Sequence, residues 1–248
     1  MNFIYSGSGL PSSEAFALSL FDSLWQGAFI VLCVWCFRFL FRKHLRVQYM
    51  LSVVGLIFIF TCSIFNYFEF SFGGLSSLVR DSFFNAWADR TGLLEWFYVF
   101  WFLGAGLFLL RFLFSHLYLK RLIGQSQVIY NENWRSTYEN IKLHFHLEKE
   151  ILLLHSDRIT SAFITGVLKP VILIPSSWVS GLSLKETECI LAHEIAHIRS
   201  KDHWINLLAQ IAEIIYFFNP AVHILISHIK LDREVQADQF ACRYTGAP

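Results

Sequence analysis

The sequence predicts a mostly α-helical membrane chain with a small β element, in which N-terminal transmembrane helices are followed by a more polar domain. Three observations carry that reading. Hydrophobic residues make up 55% of the 248 positions and charged residues only 16%, against roughly 25% charged in a typical soluble domain. The apolar residues are gathered into blocks of membrane length instead of being spread along the chain. After Lys120 the composition changes, and polar residues mix with apolar ones at helical spacing.

Taken in order, Met1 to Ser13 has no basic residue ahead of the first apolar run, so it lacks the positive start of a cleaved leader, and the first span is expected to be retained. Residues 16–37 are almost entirely apolar and long enough to cross a hydrocarbon core of about 30 Å as a helix. Residues 50–68 and 93–114 form the second and third spans. Trp96, Trp101 and Tyr118 are among the interfacial residues that flank the spans. The first connection carries Arg38, Arg42, Lys43, His44 and Arg46, whereas Arg80 and Arg90 on the second are balanced by Glu69, Asp81 and Asp89. Lys120 and Arg121 follow the third span, so the positive flanks place the N-terminus outside and everything after Leu119 in the cytoplasm. Arg111, near the end of the third span, can reach the same interface with its long side chain. Asp22 and Gln26 either line an interior or sit near the outer edge of the first span.

The expected division is therefore a transmembrane region over 1–119 and a cytoplasmic domain over 120–248, packed at the inner membrane. Residues 162–166 and 171–175 read as two short strands joined through Leu168, Lys169 and Pro170. A capping box, Ser183 with Glu186, announces a helix that contains Cys189 to Ile198. The five cysteines, including the Cys33 and Cys36 pair inside an apolar run, read as buried fillers. A net charge of +1 gives no basic surface for nucleic acid.

The segment His193-Glu194-Ile-Ala-His197 lies on this helix. Histidines four apart share one face and can bind one tetrahedral Zn²⁺. Glu194 projects about 100° away, within reach of a water whose proton it can take as general base. Two histidines and a glutamate are costly in an apolar helix unless a metal is shared. A catalytic zinc needs a third protein ligand, for which Glu234 is the best candidate. Asp238 lies four residues further on the same face, placed to hydrogen-bond the free nitrogen of a ligand histidine. The bland alternative is a solvated helix face, and Asp202 and Glu213 are further acceptors with a poorer pattern. Residues 204–218 are apolar, but a single crossing would put Glu234 on the wrong side of the membrane, and 204–231 are too few for two. Helices at or dipping into the interface are expected there, with Asn206, Gln210 and Glu213 turned towards protein or a cavity.

These landmarks resemble the integral-membrane antirepressor peptidases of the BlaR/MecR type. The resemblance rests on Gly166-Val-Leu-Lys-Pro170, Val171-Ile-Leu-Ile-Pro175, Ile190-Leu-Ala-His-Glu-Ile-Ala-His-Ile-Arg199, Lys201-Asp202, Phe218-Asn-Pro220 and Arg233-Glu234 with Asp238. It implies a gluzincin-like zinc metallopeptidase domain, with one Zn²⁺ on His193, His197 and Glu234 and Glu194 as the catalytic acid/base. It further implies a protein or peptide substrate lying as a strand beside Val171, Ile172, Leu173 and Ile174. Arg233 and Tyr244 are nearby polar candidates for stabilising the oxyanion.

The resemblance also sets an activity: a membrane-bound zinc endopeptidase that cleaves a cytoplasmic or membrane-proximal protein in regulatory proteolysis. Glu234-Val-Gln-Ala-Asp238 departs from that pattern and looks closer to the Ste-type and HtpX peptidases, which act in processing or quality control. A different class stays open as well, a non-cleaving signalling receptor with a structural zinc closed by a fourth ligand such as His203. Ser227-His-Ile-Lys230 resembles a penicillin-sensing motif, but its partner motifs are missing and it reads as coincidence. Whether a further span and sensor follow Pro248, and whether the chain forms a homodimer, stay open.

Overall fold

A computed structural model describes residues 12–72, 93–147, 150–166 and 169–246. The elements are α1 (Ser12–Leu40), α2 (Leu45–Phe72), α3 (Leu93–Gln125), β1 (Gln127–Val128), α4 (Glu132–His144), β2 (Leu152–Ser156), β3 (Phe163–Thr165), β4 (Val171–Pro175), α5 (Ser176–Gly181), α6 (Leu184–Arg199), α7 (Asp202–Ile215) and α8 (Pro220–Thr245). The chain is mostly helical with one small sheet, as its sequence predicts. The basic and acidic residues of the second connection, from Arg80 to Arg90, lie outside the described residues.

The residues group into two compact units, one taking Met1–Leu110 with Ile211–Ile229, the other Arg111–Gln210 with Lys230–Pro248. The border between the first two stretches falls inside the continuous helix α3, and residues 211–229 group with the N-terminal helices.

Among the described residues three helices are long and apolar enough to cross a membrane, over Ser13–Leu40, Leu45–Phe72 and Trp96–Gln125. In the first unit α1 and α2 pack along each other and bury Leu18, Leu56 and Ile59. Trp25, Phe29 and Trp35 on α1, Phe65 and Phe72 on α2, and Trp96 and Phe102 on α3 are exposed. Apolar surface of this extent needs a lipid environment. Where α1 ends, Arg38 donates to the Gln48 carbonyl at 3.3 Å and the Ser52 hydroxyl at 3.2 Å, which braces the turn into α2.

The second unit is built around the sheet, ordered β1-β2-β4-β3, with β2 and β4 parallel and the other pairs antiparallel. Alternation along the strands splits its side chains between two cores. Leu153, Ile172 and Ile174 meet Trp134, Tyr138 and Ile141 of α4 and Leu191 and Ile195 of α6. Leu154, Val171 and Leu173 meet Leu122 of α3. With both faces covered, every residue of β4 is buried. β4 is also paired on both edges, Ile172 opposite Leu153 and Ile164. This corrects the expectation that a substrate lies beside Val171, Ile172, Leu173 and Ile174, because a strand hydrogen-bonded on both sides has no free edge to offer. Among the described residues the edge strands of the sheet are β1 and β3.

Candidate metal centre

The helix announced by the capping box is α6. Ser183 Oγ accepts from the Glu186 amide, and the Glu186 carboxylate accepts from the Ser183 amide at 2.8 Å. The Ser183 hydroxyl, which also donates to that carboxylate at 2.7 Å, and the Ser183 amide hold Glu186 below the usual carboxylate range. The inward face of α6, with Leu191, Ala192, Ile195 and Ile198 in the core, fixes the helix rotationally. His193 and His197 sit one turn apart beside that face, half-buried, with Nε2 atoms 3.2 Å apart. From α8, Glu234 brings Oε2 to 3.6 Å from His193 Nε2 and 3.8 Å from His197 Nε2.

The outer nitrogens of both rings are held by carboxylates. Asp238 Oδ1 is 2.9 Å from His193 Nδ1, and Asp202 Oδ2 is 2.6 Å from His197 Nδ1. A carboxylate only accepts, so each Nδ1 donates, and a ring protonated at Nδ1 alone presents an Nε2 lone pair to its neighbour. Two lone pairs facing each other at 3.2 Å are unfavourable unless a cation lies between them. At bond lengths of about 2.0–2.1 Å a tetrahedral ion holds its nitrogen ligands about 3.3 Å apart. The donor set therefore fits a metal ion, and one atom from each of His193, His197 and Glu234 lies within 4.8 Å of the others.

Asp202 is the group whose part in this arrangement sequence spacing ranks too low. Lys201, at φ 57° in the left-handed region, ends α6 and turns the chain so that Asp202 heads α7 against the histidine one turn back. An acid immediately after such a helix stop is the available signal. Arg233 lies beside the same carboxylate, its Nε 3.7 Å from Asp202 Oδ2 and its Nη2 3.5 Å from Glu234 Oε1. Arg233 thus braces two acids of the group. Tyr244 belongs to an aromatic cluster, its ring 5.2 Å from that of His144 and 5.3 Å from that of Phe145.

Glu194 is buried, and burial pushes its carboxyl up to about 7; the neighbouring His197 works against that rise and Glu234 adds to it. His203, the candidate fourth ligand, lies tilted against Trp204 with ring centroids 5.8 Å apart and is not among the three clustered donors found in the described residues. Val171, Ile172, Leu173 and Ile174 are core residues of β4, and the edge strand β3 also lies against α6.

Residues 81–245 match the family described as BlaR1 peptidase M56. The regulatory protein BlaR1 of Bacillus licheniformis is 31% identical over 142 residues, 57% of this chain and 24% of that protein. The regulatory protein BlaR1 of Staphylococcus aureus is 35% identical over 130 residues, 52% of this chain and 22% of its own length. The methicillin resistance mecR1 protein of the same species is 30% identical over 129 residues, 49% and 22% respectively. The matched stretch is thus about a quarter of the length of these relatives. With its membrane-length helices, its clustered His and Glu donors and a family match over most of its length, this chain belongs to the BlaR1 peptidase M56 family of membrane metallopeptidases.

Proposed function

We propose that the chain is a membrane-bound zinc endopeptidase that cleaves a cytoplasmic or membrane-proximal protein in regulatory proteolysis. The observation that carries the reading is the pair of imidazoles facing each other beside Glu234, each ring held from behind by an aspartate. His193, His197 and Glu234 would hold one Zn²⁺, which supplies Lewis acidity to polarise a carbonyl and acidify water. Three protein donors leave the open position that a catalytic site needs and a structural zinc lacks, which disfavours a non-cleaving receptor.

The chain's own groups account for the proton traffic. Glu194, next to His193 and with a carboxyl near neutrality, is suited both to accept a proton from water and to return one. As water attacks the peptide carbonyl, a C–O bond forms and the proton leaves to a Glu194 carboxylate oxygen. As the C–N bond breaks, that proton passes to the departing amine. Asp238 and Asp202 hold both rings by Nδ1, with Nε2 turned inward. The substrate strand lies along the free edge of β3, the sheet edge nearest α6, where the backbone of Phe163–Thr165 is available for strand addition. The relatives named regulatory proteins support a regulatory substrate, and the positive flanks support a cytoplasmic location for the site.

Glu194→Gln, compared with the wild type by proteomics of intact cells and by metal analysis of the purified protein, tests the reading. Loss of substrate cleavage with one zinc retained is expected. Cleavage undiminished by Glu194→Gln, with zinc still bound, would rule it out.

A further inference from the structure

We propose that Arg199, gripped between the rings of Phe145 and Phe240, is a positioning residue that holds the acids of α8 against the histidines of α6. This rests on the metallopeptidase reading above. The three residues and the whole metal group belong to the second compact unit. Glu234 and Asp238 have side chains 51% and 68% exposed, so packing around them does little to fix them. Their places depend on what holds the last turns of α8. Ala241 is buried there with Leu191, Ala192 and Ile195 of α6. A lone methyl sets how closely two helices approach but is too small to interlock against rotation or sliding.

The cluster beside that alanine supplies the interlock. Arg199 is the last residue of α6, two past His197, and Phe240 lies two past Asp238 on α8. Phe145 is the C-cap residue of α4, where its amide donates to the Ile141 carbonyl at 3.1 Å. α4 is itself rooted through Trp134, Tyr138 and Ile141 in the core that holds α6. The guanidinium carbon of Arg199 stands 5.3 Å from the centroid of Phe145 and 5.5 Å from that of Phe240. The two rings lie 4.4 Å apart, tilted by 40°. Tyr244, one turn on from Phe240, adds a third ring 5.3 Å from Phe145. One cation thus fastens α6 to α8 and to the end of α4.

A cation is attracted to a ring face within about 6 Å of its centroid, so the grip is lost when the ring turns or slides away. Asp238 and Phe240 leave α8 about 200° apart. The carboxylate meets His193 on one flank and the ring meets Arg199 on the other, so rotation of the helix breaks one contact or the other. Ligand distances in a metal site tolerate only about 0.2 Å. A helix held in this register presents Glu234 already gathered to the imidazoles, and a metal ion need not supply the free energy of gathering it. The charge of Arg199 acts the other way. A cation two residues from His197 repels Zn²⁺, so an effect of charge alone would make zinc bind more tightly when Arg199 is replaced.

Full-length protein in lipid nanodiscs tests this with Zn²⁺ and Co²⁺ as probes. Arg199→Met keeps an apolar stem at an exposed position and removes the cation. Zinc affinity is expected to fall about fivefold, the scale of one cation–π contact at an exposed site, with a changed Co²⁺ visible band. Arg243→Met removes an equal charge from an exposed position on α8 and keeps the wild-type affinity and band. An unchanged or raised zinc affinity in Arg199→Met overturns the proposal. Phe240→Leu should lose affinity as Arg199→Met does, and Phe240→Tyr, which keeps the ring, should restore it; equal losses in Leu and Tyr also overturn the proposal. Should Phe240→Leu lose its helical circular dichroism, Arg199→Met decides alone. Glu234→Gln separates the two levels of argument: if it leaves zinc affinity unchanged, the metal reading fails and this inference falls with it. If it lowers affinity while Arg199→Met does not, only the positioning role falls.

Discussion

Asp202→Asn keeps the shape of the side chain and removes the charge behind His197. The bond it alters is 2.6 Å long, and the carboxylate is only 7% exposed. The matching bond from Asp238 to His193 is 2.9 Å long, with a carboxylate 68% exposed. Partners that orient ligand histidines typically contribute about 10- to 100-fold to metal affinity. A short, buried, charge-assisted bond belongs at the upper end of that span and an exposed, solvent-screened one at the lower. Asp202→Asn is therefore expected to weaken zinc binding about 100-fold, or about 2.7 kcal/mol, and Asp238→Asn about tenfold, or about 1.4 kcal/mol. Loss of the anion beside Arg233 acts in the same direction for Asp202. Competition against a chelator of known affinity, with purified protein at neutral pH, measures both constants. Equal losses in the two variants, or a loss in Asp202→Asn of less than about threefold, would refute the reasoning from burial and bond length.

Two further outcomes follow from the same geometry. A photoreactive residue at Phe163 on the free edge of β3 should capture substrate, while one at Val128 on the opposite edge should not; capture at Val128 alone would move the substrate elsewhere. In metal-stripped protein the raised Glu194 carboxyl retains a proton in the folded state that the unfolded chain releases near its ordinary value of 4.5. Stability therefore declines as pH rises from 4.5 to about 7 and levels off above. The decline attributable to this group is on the order of 3 kcal/mol, and urea titrations across that window should show it flattened in Glu194→Gln.

Much of the fold was legible because its signals are strong and local. Membrane-length apolar runs have few other readings, and the Ser183–Glu186 box names the start of α6 before any tertiary contact is known. The strand over Val171–Pro175 announces itself by its apolar, β-branched run and closing proline, but nothing local says whether it is an edge or a centre. That depends on β2, whose Leu152–Ser156 run is too short to separate from a helical stretch by periodicity, and its parallel pairing with β4 takes the edge assigned to substrate. Residues 211–229 are apolar yet form no single helix long enough to span, so their grouping with the N-terminal helices comes from contacts such as Asn219 with Ser23. At the site, the four-residue spacing of the histidines was readable. The closeness of Asp202 to His197 was not, because it depends on the left-handed turn at Lys201.

The central claim is that His193, His197 and Glu234 hold one zinc ion with a position left open. X-ray absorption of the zinc-loaded full-length protein, alongside metal analysis, tests it most directly. The account predicts one zinc per chain with two imidazole nitrogens, oxygen in the remaining positions and no sulfur, and loss of that zinc in Glu234→Gln. A zinc ligated by cysteine sulfur or by a third imidazole, or one held equally well by Glu234→Gln, would contradict it.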